Sequence, residues 1–161
     1  MDNILVEEMN LDDLENIKEI LTSEFDDFWN FNILKEELEN ENSKYIVAKM
    51  DDTIIGFAGI KIVLDDADLM NIVVKKSFRN KGIGSLLLEK LIYLSKTLNL
   101  TSISLEVHET NTSAIGLYKK FDFKEIGNRK NYYKDANAIL MLKKLNWSKL
   151  LQFNFYFFPF I

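Results

Sequence analysis

Residues 69–98 constrain this chain more than any other stretch. An apolar run, 69–74, leads into a basic turn, Arg79-Asn80-Lys81-Gly82-Ile83-Gly84. A helix predicted over 82–97 follows, with Ile83, Leu87, Leu91, Leu94 and Leu98 on one apolar stripe. A strand feeding a helix through so short a turn commits the chain to a layered α/β arrangement. The turn also carries chemistry, because a helix start leaves backbone N–H groups unpaired at the positive end of its dipole and glycine lets an anion come close. Lys75, Lys76, Arg79 and Lys81 add positive charge, and Arg79 is one of only two arginines in the chain. The turn reads as an anion cradle or, as isolated G-x-G strings usually do, as a tight turn needing glycine for its dihedrals alone. Two familiar phosphate motifs are weak alternatives. No G-x-x-x-x-G-K-[ST] string exists, and Leu87 stands where a dinucleotide fingerprint needs a third glycine or an alanine.

The remaining pattern extends the sheet. Residues 4–9 read as a short strand, 12–23 and 32–41 as two acidic helices, and 45–50 and 53–63 as a hairpin around Asp51-Asp52. A strand at 101–108, a helix at 111–121 and strands near 123–133 and 138–145 complete the order β-α-α-β-β-β-α-β-α-β-β. The predicted class is α/β, with a mixed central sheet of about seven strands flanked by about four helices. With 161 residues, 47% of them apolar, there is material for one domain, placed at 1–145. Residues 146–161 break the pattern: five of the twelve phenylalanines and the only proline fall in the last nine positions. This aromatic tail, of unknown role, reads as a packed extra segment, an anchor, or a segment without function.

Composition excludes several chemistries. There is no cysteine, hence no disulfide, thiolate nucleophile or thiolate-held metal, and the single histidine, His108, rules out histidine-rich metal sites. The opening residues lack the basic stretch and apolar run of a signal peptide. No apolar stretch reaches the roughly 20 residues of a membrane span, so a cytoplasmic location is expected. The net charge of −5 divides unevenly, −12 over residues 1–41 and +7 over the rest. A basic body suits a phosphorylated ligand and an acidic segment suits a cationic one, although charge runs are more often solvated helix faces.

A second constellation lies in 101–111. Ile103, Leu105 and Val107 alternate with Ser104, Glu106 and His108, so Glu106 and His108 share the face opposite the apolar set. A carboxylate near the end of a central strand is costly to bury unless paired, hydrated or used, which makes Glu106 a general-base candidate; the alternative is an ordinary half-exposed strand residue. His108 reads as a rim residue. Asn111 opens the next helix and Tyr118 lies two turns along the same face, either addressing one cleft with it or serving as N-cap and core aromatic.

The R-x-x-G-x-G string after a strand resembles the acetyl-coenzyme A signature of the GCN5-related N-acetyltransferase (GNAT) superfamily. The string L-E-V-H-E-T-N-T-S-A-I-G-L-Y-K-K-F-D-F at 105–123, N-Y-Y at 131–133, Trp29, and V-L-D-D-A-D-L-M-N-I-V-V at 63–74 narrow this to the ribosomal-protein-alanine N-acetyltransferase subfamily, over residues 4–145. The resemblance implies a GNAT fold and acetyl-CoA as cosubstrate, with no metal. It implies Glu106 as base and Tyr118 as acid. The coenzyme would lie against Arg79, Asn80, Lys81, Gly82, Ile83, Gly84, Ser85 and Asn111, with main-chain groups of Ile72, Val73 and Val74 on its thioester. The implied acceptor is the α-amine of a small-subunit ribosomal protein, with no direct nucleic-acid contact and a monomeric enzyme. Lys76 replaces a common proline, His108 an arginine, Asp122 a glycine, and Ala136-Asn137-Ala138 the usual E-D-A. Two alternatives stay open: an acetyltransferase of a small amine or other peptide, and a non-catalytic acetyl-CoA sensor or interaction module.

Overall fold

The computed structural model of the chain describes residues 4–26, 29–134 and 136–145. The strands are β1 (Ile4–Glu8), β2 (Ser43–Met50), β3 (Thr53–Val63), β4 (Asp66–Val74), β5 (Ser102–His108), β6 (Lys124–Arg129) and β7 (Ala138–Lys144). The helices are α1 (Leu11–Ile17), α2 (Phe31–Glu39), α3 (Ile83–Thr97) and α4 (Thr112–Lys120). The strands form one sheet in the order β1-β2-β3-β4-β5-β7-β6, antiparallel throughout except between β4 and β5. The expected mixed sheet of seven strands with four helices is therefore present. The aromatic tail at 146–161, and with it the boundary drawn after residue 145, lies outside the described residues. Among the described residues no helix is long and apolar enough to cross a membrane.

Apolar residues cover both faces. Leu87, Leu88 and Leu91 of α3 pack on Ile55, Ala58, Ile60 and Ile103. On the opposite face Leu14, Leu21, Phe25 and Leu34 pack on Tyr45, Val47 and Phe57. The first acidic helix starts one residue earlier than its pattern suggested, because Asn10 and Asp13 form a reciprocal cap: Asp13 N–H donates to Asn10 Oδ1 at 2.9 Å and Asn10 N–H to Asp13 Oδ2 at 3.0 Å. It also does not run on as one α-helix to residue 23. After Ile17 come a 3-10 turn, Lys18–Ile20, and a π turn, Leu21–Phe25, closed by Asp26 N–H on Leu21 O at 3.0 Å. Ile17, Leu21 and Phe25 recur at steps of four, and an ideal α-helix would turn each step about 40° past a full revolution. The wider π turn keeps Phe25 in the core.

The acidic N-terminal segment is tied to the basic body rather than left to solvent. Lys49 pairs with Glu7 at 2.6 Å and Asp13 at 2.7 Å, Lys61 with Glu37 at 3.1 Å, and Lys75 with Glu24 at 2.9 Å. Asp13 is only 3% exposed, so its lysine is needed to offset the loss of water. The charge asymmetry thus has a structural use.

One departure from the family pattern has a cost that can be measured. Asp122 follows α4 with φ +65°, in the left-handed region, while Phe123 N–H donates back to Tyr118 O at 3.1 Å. Glycine is preferred at this helix-ending position because it has no Cβ, and an acidic side chain also opposes the dipole there. Asp122→Gly is expected to stabilise the fold by about 0.5–1 kcal/mol, a rise in melting temperature of a few degrees by differential scanning calorimetry.

Candidate active site

The site grows out of one local feature of the sheet. β4 and β5 pair only at Asp66↔Ser102, Ala67↔Ile103 and Asp68↔Ser104. Beyond these β4 continues against β3 to Val74 and β5 against β7 to His108, so the two strands part. The hydroxyls of Thr101 and Ser102 bond Asp66, and that of Ser104 bonds Asp68, at the paired end. These bonds hold the Asp66 carboxyl below its ordinary pKa, Thr101 contributing most. A bulge beside Gly59 and Ile60 leaves Met70 without a facing residue, at the point where β4 leaves β5.

Two cavities lie along β4, one lined by residues 72–74 and the other by 68–70. One, of about 570 Å³, is lined by Ile72, Val73 and Val74, by the turn residues Arg79, Asn80, Gly82, Ile83, Gly84 and Ser85, and by Asn111 and Tyr118. Of the residues singled out for the coenzyme, Lys81 alone does not line it. The other, of about 640 Å³, is lined by Glu106 with Trp29, Asp68, Arg129, Tyr132 and Tyr133 among others. The structure therefore brings the proposed cradle and Tyr118 together and sets Glu106 on the far side.

The cradle is made of backbone. Asn80 and Gly82 have φ of 60° and 84°, and the N–H groups of residues 80–85 find no acceptor among the described residues; the first bond at this helix start is from Leu86 N–H to Gly82 O at 3.0 Å. The basic side chains are engaged elsewhere. Arg79 donates to Phe25 O at 2.8 Å and Val74 O at 3.2 Å, Lys76 to Ser23 O at 2.7 Å, and Lys75 pairs with Glu24, while Lys81 lies over the Phe78 ring at 5.1 Å. These contacts clamp the turn onto the segment 23–25. Lining the cavity is a helix start whose first amides have no backbone acceptor among the described residues, with Arg79 the one of these four basic residues beside it, and such a turn suits a pyrophosphate.

Tyr118 is partly buried, its ring 5.7 Å from that of Phe123. Loss of water around the phenol pushes its pKa up to about 12, with Tyr133 adding to the rise. It is therefore protonated at any working pH, as a proton donor must be. Glu106 is partly exposed on the expected face of β5, Ile103, Leu105 and Val107 being buried. Its Oε1 lies 2.8 Å from Arg129 Nη2. Asn111 caps α4, accepting from Ala114 N–H at 3.1 Å, and lines the first cavity as well. His108 sits at the strand end, its Nδ1 accepting from Thr110 N–H at 3.2 Å and its ring 4.6 Å from Tyr133.

The predicted strand over 123–133 ends at Arg129, and Tyr132 and Tyr133 stand in the turn that follows. Arg129 was not singled out as a site residue. Its signals were its rarity and its place two residues before N-Y-Y, neither of which reveals a partner 23 positions away.

A family model for the acetyltransferase (GNAT) family matches residues 14–123. A Bacillus subtilis protein with a provisional ribosomal protein bS18-alanine N-acetyltransferase name is 38% identical over 144 residues, 88% of this chain and 95% of that protein. The bS18-alanine N-acetyltransferase of Haemophilus influenzae is 40% identical over 120 residues, 70% of this chain and 80% of that protein. The crystal structure of the Escherichia coli ribosomal-protein-S18-alanine N-acetyltransferase matches with a TM-score of 0.81 at 28% identity, covering 89% of this chain and 95% of that one. With the mixed sheet, the parted β4–β5 pair and the amide cradle in place, these likenesses establish that the chain belongs to the GNAT family and is an acetyl-CoA-dependent N-acetyltransferase.

Proposed function

We propose that this chain acetylates the α-amine of the N-terminal alanine of ribosomal protein bS18, in the cytoplasm, with Glu106 as base and Tyr118 as acid. The observation that carries the reading is the division of the site: the turn and the phenol line one cavity and the carboxylate the other, both along β4 where it has left β5. The names of the relatives supply the acceptor. Acetyl-CoA, when bound, supplies an activated acetyl group. The amides of 80–85 hold its pyrophosphate, and β4 amides near Ile72, Val73 and Val74 that no longer face β5 polarise the carbonyl. Glu106 takes the proton of the incoming amine, directly or through a water, and Tyr118 gives its proton to the leaving sulfur.

An α-amine, with a pKa of about 7.7–8.0, is far more often neutral at pH 7 than a lysine at about 10.4, so a terminal amine is the easier nucleophile for a single carboxylate to activate. The rate is expected to rise with pH through about 8 as that amine loses its proton, with no fall from Tyr118 until about 12. The test is incubation of the protein with acetyl-CoA and a peptide copying the N terminus of bS18, followed by mass spectrometry. One acetyl group on the α-amine, and none on lysines of the same peptide when its N terminus is blocked, is the expected result. Acetylation of polyamines or amino acids but not of the peptide would replace bS18 by a small amine. Coenzyme binding without transfer to either would leave a sensor.

A further inference from the structure

Arg129 already occupies the carboxylate that the acceptor needs. It ends β6, its Nη2 lies 2.8 Å from Glu106 Oε1, and its guanidinium carbon lies 5.0 Å from the centre of the Tyr132 ring. All three side chains line the second cavity. A guanidinium and a protonated amine make the same demand on a carboxylate, bringing N–H donors and a positive charge. Only the amine can give up its proton there, since a guanidinium stays charged at every working pH.

We propose that Arg129 is a specificity-determining residue for the acceptor, a latch on Glu106 that a cationic amine terminus displaces. The proposal rests on the assignment of Glu106 as base. Arg129 and Glu106 are 56% and 26% exposed, and a pair so open to water is weak enough for a ligand to replace. The face of Tyr132 gives the guanidinium a second partner that does not depend on Glu106. An arriving ammonium then restores a cation to Glu106 and transfers one proton to its carboxylate, leaving the neutral amine to attack; the second N–H proton, released as the amide forms, returns to the Tyr118 oxygen that has protonated the leaving sulfur. A group with no N–H donor to offer Glu106 cannot make that exchange and leaves the latch closed.

The test uses the full chain, its Arg129→Gln and Arg129→Lys variants, an alanine-initiated peptide at saturating acetyl-CoA, and millimolar guanidinium chloride as a probe. Removing the latch should lower the peptide's KM by about two- to fivefold in Arg129→Gln, the range that a half-exposed ion pair allows, and by less in Arg129→Lys. Guanidinium should compete with the peptide in Arg129→Gln and do so several-fold less well in the wild type, whose site is filled. A raised KM would make Arg129 a direct acceptor contact. A lowered kcat rescued by lysine would make it a residue that merely positions Glu106. Either result, or equal sensitivity of the two proteins to guanidinium, overturns the latch. A guanidinium titration followed by NMR without acceptor separates this proposal from the assignment of bS18: tighter binding to the variant supports the latch whichever amine proves to be the substrate.

Discussion

Tyr118→Phe is expected to lower turnover by about 10²- to 10⁴-fold while acetyl-CoA binds almost as before. The substitution removes one oxygen and keeps the ring that packs 5.7 Å from Phe123, so the wall of the first cavity survives. What is lost is a proton held by a phenol whose pKa burial raises to about 12. A departing thiolate beside a partly buried phenol has no equally well placed substitute for that donor. Glu106→Gln should cost a similar amount for the opposite reason: the amide still accepts a hydrogen bond from Arg129 but cannot take a proton from the amine. Single-turnover kinetics beside calorimetric titration of acetyl-CoA separate chemistry from binding. Wild-type turnover in both variants would remove these residues from the reaction. A loss of coenzyme affinity equal to the loss of rate would make Tyr118 part of the cofactor wall rather than the acid.

The elements legible in the sequence are those whose burial repeats with a clean period. In α3 the stripe of Ile83, Leu87 and Leu91 is buried, and in β5 Ile103, Leu105 and Val107 alternate with the face that carries Glu106. Interactions whose partners are far apart in the chain were not legible. The start of β4 is one case: Asp66 and Asp68 look like loop residues until Thr101, Ser102 and Ser104 of the neighbouring segment supply hydroxyls, and the predicted strand accordingly began at residue 69. The basic turn is another. Four positive side chains beside a glycine turn suggest an anion, yet Arg79 and Lys76 bond carbonyls of Phe25 and Ser23 more than 50 positions earlier. Position alone makes the turn a candidate cradle, because unpaired amides belong to any helix start. The glycine expected at residue 122 explains itself only through a φ of +65°. In each case the missing information is tertiary, and no window of local sequence holds it.

The two glycines of the cradle are expected to fail in different ways, and Gly84 gives the larger effect on binding. Gly82 has φ +84° and no atom within 4 Å of an added Cβ, so its substitution is resisted by the backbone conformation, at about 1–2 kcal/mol, rather than by space. At Gly84 the reverse holds. An added Cβ would meet Leu117 Cδ2 at 3.6 Å, Val74 Cγ2 at 3.9 Å and Ile72 Cγ2 at 4.0 Å, all ordinary contacts, and the fold should accept alanine there with the melting temperature unchanged or raised. Those three residues line the first cavity, so the new methyl group takes up space there that the proposed coenzyme site would use. Gly84→Ala is therefore expected to weaken acetyl-CoA about tenfold or more without loosening the protein, since one misplaced contact of about 1.4 kcal/mol is enough. Gly84→Asp should be worse. It adds a carboxylate beside a doubly charged group, and each like-charge pair at about 4 Å costs about 1–4 kcal/mol between water and a protein surface. Calorimetric titration of acetyl-CoA into both variants, beside their thermal melts, checks this. Unchanged affinity in Gly84→Asp would take the pyrophosphate away from the helix start. A collapsed melt in Gly84→Ala would mean that the glycine serves packing instead of the ligand.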